Sequence, residues 1–161
     1  MEELYLRKKA LTLWQEGQRA HMEGDLQRAM DCYERSIAVF PTAEAYTFRG
    51  WALSYMERFD EAIAECKKAI SVDPSFGNAY NDIGSYLIAL GRPEQAIRWL
   101  QRAKKASRYE VRHFPYMNLG RLYASRGQIL KAIAEYEAAL RIVPEEPSCT
   151  AALGRLRQQL N

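Results

Sequence analysis

Four evenly spaced glycines constrain this chain more than any other feature. Gly17, Gly50, Gly84 and Gly120 stand 33, 34 and 36 residues apart, and an alanine follows each by twelve: Ala29, Ala62, Ala96 and Ala132. Seven residues further on come Ser36, Ala69, Ala103 and Ala139, all small. Three of the four units then close on a proline, at Pro41, Pro74 and Pro144. Four marks kept in step through four copies mean one supersecondary unit stacked on itself. A single unit cannot bury its apolar face, so the stack is the folding entity.

Each unit reads as two helices. Tyr80, Ile83, Gly84 and Leu87 fall at i, i+3, i+4 and i+7, one helical face. Gly91 then closes that helix and Pro93 suits the first turn of the next. Ala96, Ile97, Leu100 and Ala103 repeat the helical spacing. Gly24-Asp25 and Gly127-Gln128 mark the equivalent turns of units one and four, whereas Glu57-Arg58-Phe59-Asp60 fills that of unit two without glycine. Small residues where helices cross let the backbones approach closely. The pattern predicts helices over about 3–22, 26–40, 43–56, 59–72, 77–90, 93–107, 114–126, 129–142 and 147–160. The units then span about 10–42, 43–76, 77–112 and 113–146, with a last helix over 147–160 as their cap, all in one array.

The set Tyr80, Ile83, Gly84, Leu87, Ala96, Leu100 and Ala103 resembles the tetratricopeptide repeat (TPR). Tyr116, Leu119, Gly120, Tyr123, Ala132, Tyr136, Ala139 and Pro144 resemble it more fully still. Units one (Leu13, Gly17, Ala20, Ala29, Tyr33, Ser36, Pro41) and two (Tyr46, Gly50, Leu53, Ala62, Cys66, Ala69, Pro74) match less completely. The resemblance implies an all-α, right-handed superhelical solenoid of four helical hairpins plus a C-terminal capping helix. Leu153-Gly154, 34 residues after Gly120, carries the register into that cap. Departures are Glu16 and Arg49 at a usually apolar place, and Arg108 where the third proline belongs.

Composition narrows the function classes. The 161 residues are 48% hydrophobic and include Tyr 10, Phe 5 and Trp 3, too apolar for a disordered tail. No run approaches the ~20 apolar residues of a spanning helix, so membrane insertion is not expected. A net charge of +3 is too balanced to draw nucleic acid by bulk electrostatics. Cys32, Cys66 and Cys149 form no CxxC pair, and neither His21 nor His113 lies at ligand spacing from them. Buried thiols in a reducing compartment are the expectation. The start, Met1 to Lys9, has no apolar core of a signal peptide, which predicts a cytoplasmic protein. No P-loop, GxGxxG, HExxH, GxSxG or EF-hand loop occurs, and acidic pairs such as Asp60-Glu61 sit at helix starts, where they complement the dipole. The expectation is a non-catalytic chain without cofactor or metal.

For function, the TPR resemblance implies a concave groove lined by the first helix of each unit and holding a peptide or helix of a partner protein. Carried onto this chain, the lining positions are Leu11, Trp14, Gln18 and His21, then Glu44, Thr47, Trp51 and Ser54. Units three and four supply Asn78, Asn81, Ser85, Ile88, Phe114, Met117, Arg121 and Ala124, and the cap adds Ser148, Ala151 and Arg155. Trp14, Trp51, Phe114 and Met117 are the expected apolar anchors, since aromatic groups dominate binding hot spots. Asn78 and Asn81, which both donate and accept, are expected to hold the ligand backbone. Arg121 and Arg155 favour an acidic side chain or terminal carboxylate. The expected ligand therefore carries an apolar anchor and an acidic group.

Some relatives of this kind clamp the Glu-Glu-Val-Asp tail of heat-shock chaperones with lysine, asparagine, asparagine, lysine and arginine. One register here offers Trp14, Gln18, Phe48, Asn78 and Asp82; the other offers Thr47, Trp51, Asp82, Phe114 and Asn118. Neither supplies the cations, so that tail is not the expected ligand. A separate strip holds Arg98, Arg102, Lys104, Lys105, Arg108 and Arg112 against the single acid Glu110. It reads as a solvated outer face or, alternatively, as an anionic docking strip for an acidic segment or RNA. RNA is the weaker option because few aromatics interleave the cations. A structural protein that self-assembles through its end repeats is the remaining alternative.

Overall fold

The computed structural model describes residues 1–161, with nine α-helices and no β-strand. They are α1 (Glu2–Met22), α2 (Leu26–Val39), α3 (Ala43–Tyr55), α4 (Phe59–Val72), α5 (Gly77–Ala89), α6 (Pro93–Lys104), α7 (Phe114–Ser125), α8 (Ile129–Ile142) and α9 (Pro147–Gln159). The starts follow capping chemistry. Asp25 accepts from the Arg28 amide at 3.0 Å, Thr42 from the Ala45 amide at 3.2 Å, and Glu146 from the Cys149 amide at 2.8 Å. Proline occupies the first turn of α6, α7 and α9, where its missing N–H costs nothing.

Each odd helix packs antiparallel on the next even one, and the hairpins then stack on their neighbours. The register glycines explain how closely. A methyl group at Gly17 would meet the Tyr33 ring at 2.5 Å, at Gly84 the Leu100 side chain at 2.6 Å, and at Gly120 the Tyr136 ring at 2.9 Å. Ala29, Ala62, Ala96 and Ala132 are wholly buried on the opposing helices. Gly154 occupies the same register in α9 yet has nothing within 4 Å of that position, because no second helix lies behind the cap. The fold is an all-α superhelical solenoid of four hairpins and a capping helix.

Two departures resolve in physical terms. Arg49 is tied to Glu34 at 3.2 Å and to Glu65 at 3.7 Å, so ion pairing replaces the usual apolar packing there. The expected α6 over 93–107 stops at Lys104, since the following chain turns back onto the preceding unit. The Gly77 amide donates to the Arg108 carbonyl at 3.0 Å, and the Arg108 amide donates to the Ser75 carbonyl at 3.0 Å. Tyr109 is buried against Gly77, and the Arg108 guanidinium lies over the Phe76 ring at 4.4 Å. Arg108 thus ends the unit by pairing where the other units use proline.

Candidate functional site

Helices α1, α3, α5 and α7 touch one another in succession and form the inner layer. Several clefts border it, and two of them gather the expected lining residues. The one that spans three of these helices, the main cleft for that reason, has about 490 Å³ and runs between α3, α5 and α7. Its walls are Trp51, Ser54 and Tyr55 of α3, Phe59 of α4, Asn81, Asp82, Ser85, Tyr86 and Ala89 of α5, and Phe114, Met117, Asn118 and Arg121 of α7. The second, of about 260 Å³, lies nearer the N-terminal end and is lined by Trp14, Gln18, Glu44, Phe48, Phe76, Asn78, Arg108, Glu110 and Val111.

The expected lining residues therefore divide. Trp51, Asn81, Ser85, Phe114, Met117 and Arg121 meet in the main cleft, while Trp14, Gln18 and Asn78 meet in the second. Arg155, exposed on α9, lines neither cleft. Thr47 is only 1% exposed, because α3 is covered on both sides by α1 and α5. His21 is buried too, its ring stacked 3.8 Å from that of Trp51 and its Nδ1 3.4 Å from the Tyr33 hydroxyl. Burial pushes the His21 pKa down and favours the neutral imidazole.

The tryptophans are not free anchors. Trp14 meets Phe48 edge-on at 5.3 Å, Phe48 meets Trp51 at 5.7 Å, and Trp51 meets Tyr55 at 5.6 Å. This row knits α1 to α3 and leaves both indoles half-buried, with one part of each facing a cleft. The openly presented aromatics are Tyr55, 60% exposed, and Phe114, 42% exposed. Asn81 also differs from expectation. It is 5% exposed, and its Oδ1 accepts from Asn118 Nδ2 at 2.9 Å, so it is spent on holding α5 to α7.

Sequence spacing missed Tyr55, Phe59, Asp82, Tyr86 and Asn118 as lining residues. Asp82 and Asn118 carried a signal, since both fall at clamp positions where their side chains do not suit an acidic tail. Phe59 carried none, because it enters from a second helix. Asp82 is half-buried, and burial pushes its pKa up to about 7, with the Asn81 amide offsetting only part of the effect.

The basic strip is broken up by the fold. Lys104 pairs with Glu135 at 2.9 Å and lies over the Tyr116 ring at 4.4 Å. Arg108 bridges Glu44 at 2.5 Å and Asp73 at 2.7 Å. Arg102 lies over the Trp99 and Tyr80 rings, and Arg112 donates to the Ser107 carbonyl at 2.9 Å. Arg98 and Lys105 are left as the exposed, unengaged cations. No three His, Cys, Asp or Glu side chains gather as metal ligands, and no helix is long and apolar enough to cross a membrane.

Comparison with known proteins agrees with this geometry. Tetratricopeptide-repeat models match residues 43–76 and 75–145. The chain belongs to the tetratricopeptide-repeat family. The Small glutamine-rich tetratricopeptide repeat-containing protein 2 of Saccharomyces cerevisiae is 36% identical over 90 residues, which is 55% of this chain and 26% of that protein. This TPR chain thus spans about a quarter of that relative's length. A solved structure of Pseudomonas aeruginosa pilF superposes with a TM-score of 0.87 over 95% of this chain and 70% of that one, at 22% identity, a likeness of fold alone. The second TPR of Spaghetti (RPAP3), bound to the HSP90 peptide SRMEEVD, superposes with a TM-score of 0.61 over 66% of this chain and all of its own, at 25% identity.

Proposed function

We propose that this TPR chain is a non-catalytic adaptor that holds a peptide or helix of a partner protein along its inner layer. One observation carries the reading: a cleft of about 490 Å³ between three first helices, with Tyr55 and Phe114 presented openly at its wall. Exposed aromatics in a concave site that also offers polar groups are what a protein ligand needs for anchoring. The RPAP3 likeness supports a peptide as ligand, since that TPR holds one. The heat-shock tail itself is not proposed, because Thr47, Phe114 and Asn118 stand where the clamp has its lysines and arginine. Arg121 on the cleft wall, and Arg155 beyond it on α9, favour an acidic side chain or terminal carboxylate of the ligand at the C-terminal end of the groove. Cys32, Cys66 and Cys149 are all buried free thiols, which suits work in a reducing cytoplasm.

A photo-crosslinking amino acid placed at Tyr55, at Phe114 or on the outer face at Leu130 tests the reading in cells of the source organism. Each replaces an exposed side chain, so the fold is retained. Tyr55 and Phe114 should trap the same protein and Leu130 should not. Trapping from Leu130 alone would move the binding surface to the outer face.

A further inference from the structure

Most of the poorly exposed acids of this chain hold a cation, and Asp82 does not. Glu65 holds Arg49 and Lys68, Glu44 and Asp73 share Arg108, and Glu135 holds Lys104. Asp82 has comparable burial and no ion pair, and no cation contributes to its charge balance. Removing a carboxylate from water without a counter-charge is costly, so a bound cation would recover part of that cost. The carboxylate stands in the wall of a cleft rather than inside the core. Around it, Trp51, Tyr55 and Phe114 present rings to the same space. Cations gain from ring faces, and this molecule already uses the contact in Arg102 over Trp99 and Arg108 over Phe76.

Building on the reading of the cleft as a peptide site, we propose that it takes the cationic end of a basic side chain, arginine above lysine, with Asp82 as counter-charge and Trp51, Tyr55 and Phe114 as aromatic walls. A planar guanidinium can stack on the rings and offer two parallel N–H groups to the two oxygens of one carboxylate, a flat fork that an ammonium lacks. The Asn118–Asn81 bond fixes the residue beside Asp82 and so limits its freedom. Arg121 is the single cation on the cleft wall; it is exposed and does not pair with Asp82. A ligand with a basic residue at Asp82 and an acidic one toward Arg121 satisfies both.

The groups facing Asp82 leave it as the one that titrates near neutrality. Tyr86 of α5 and Tyr109 before α7 feel its charge and have pKa values pushed far up by burial. Cys66 of α4, which also feels Glu65, is pushed well up. Asp82 itself, at about 7, becomes charged as pH rises through neutrality, so cation binding should strengthen over the same interval.

The test is an NMR titration of the ¹⁵N-labelled full chain with butylguanidinium, butylammonium and butyrate at constant ionic strength. The Trp51 indole and the Asn81 and Asn118 amides report on the cleft. Both cations should saturate these signals, butylguanidinium the tighter, and butyrate should bind more weakly, at Arg121, without displacing them. Asp82→Asn should weaken cation binding about tenfold or more, as expected when a charged hydrogen-bond partner is lost. Asp82→Glu should restore part of the binding and so exclude a folding artefact. Wild-type affinity for butylguanidinium should rise between pH 6 and 8, and that of Asp82→Asn should stay flat. Equal binding of butyrate, undiminished cation binding by Asp82→Asn, or no response to either cation would overturn the proposal. Crosslinking at Tyr55 together with any of those results would keep the cleft as a protein site and remove only its chemical preference.

Discussion

Glu57 adopts a backbone angle that the other three hairpins give to glycine. Its φ is 59°, beside 82°, 72° and 71° at Gly24, Gly91 and Gly127. A side chain in the left-handed region costs about 1–2 kcal/mol, while glycine has more chain entropy to lose on folding. Glu57→Gly should therefore stabilise by about 0.5–1 kcal/mol, read as a higher midpoint in urea. A lower midpoint would mean that Glu57 makes up its strain elsewhere. Asp82 is the second costly residue. It titrates near 3.8 when unfolded and at about 7 in the fold, so the folded chain binds the extra proton between those values. Its favourable contribution is complete below pH 4 and is lost as pH rises to 7. At about 1.4 kcal/mol per pH unit the loss is capped at roughly 4 kcal/mol, and partial solvation brings it nearer 2. Asp82→Asn should melt several degrees above wild type at pH 8, with the gap closing toward pH 4. His21 slopes the other way, losing stability as pH falls below 6.5, but it is common to both proteins and cancels from the comparison.

At the scale of elements, α9 shows how a repeat array ends. Its Cys149, Leu153 and Leu156 pack with Met117 and Tyr136, closing the core of the fourth hairpin. The adjoining face carries Thr150, Gly154 and Arg157, all exposed, where the other first helices meet their partners. Deleting 147–161 should cost amide protection first in α7 and α8, and far less in α1 to α4, because contacts run between nearest neighbours. Hydrogen exchange followed by mass spectrometry reads this directly. Equal loss in all hairpins would contradict a one-dimensional array. Helix ends were legible wherever a capping side chain, a first-turn proline or a turn glycine marked them. The end of α6 was not. Lys104 to Arg108 keeps a helix-compatible composition, and what stops the helix is the pairing of Arg108 with Ser75 and Gly77, far away in sequence.

For the whole molecule, the repeat fixed the architecture because its evidence is local and redundant. Gly17, Gly50, Gly84 and Gly120 recur with Ala29, Ala62, Ala96 and Ala132, and each pair reports the same close crossing of two helices. The inner layer was legible only through the resemblance to the repeat family, which implies lining positions at Trp14, Trp51, Asn78, Phe114 and Arg121 on the first helices. What those side chains do there depended on tertiary packing. Spacing cannot tell that His21 and Phe48 flank Trp51, that Asn118 occupies Asn81, or that α1 and α5 cover Thr47. Nor can a run of six cations reveal that Lys104 and Arg108 meet acids 31 to 64 residues away. Sequence by itself determined the periodic features, because repetition imposes the same contact four times. Only the tertiary structure decided the cleft, because burial and charge there are set by what stands opposite each residue, and that neighbour comes from another repeat. Asp82 is the clearest case: its position on α5 is a matter of register, but its lack of a counter-charge is a property of the assembled cleft.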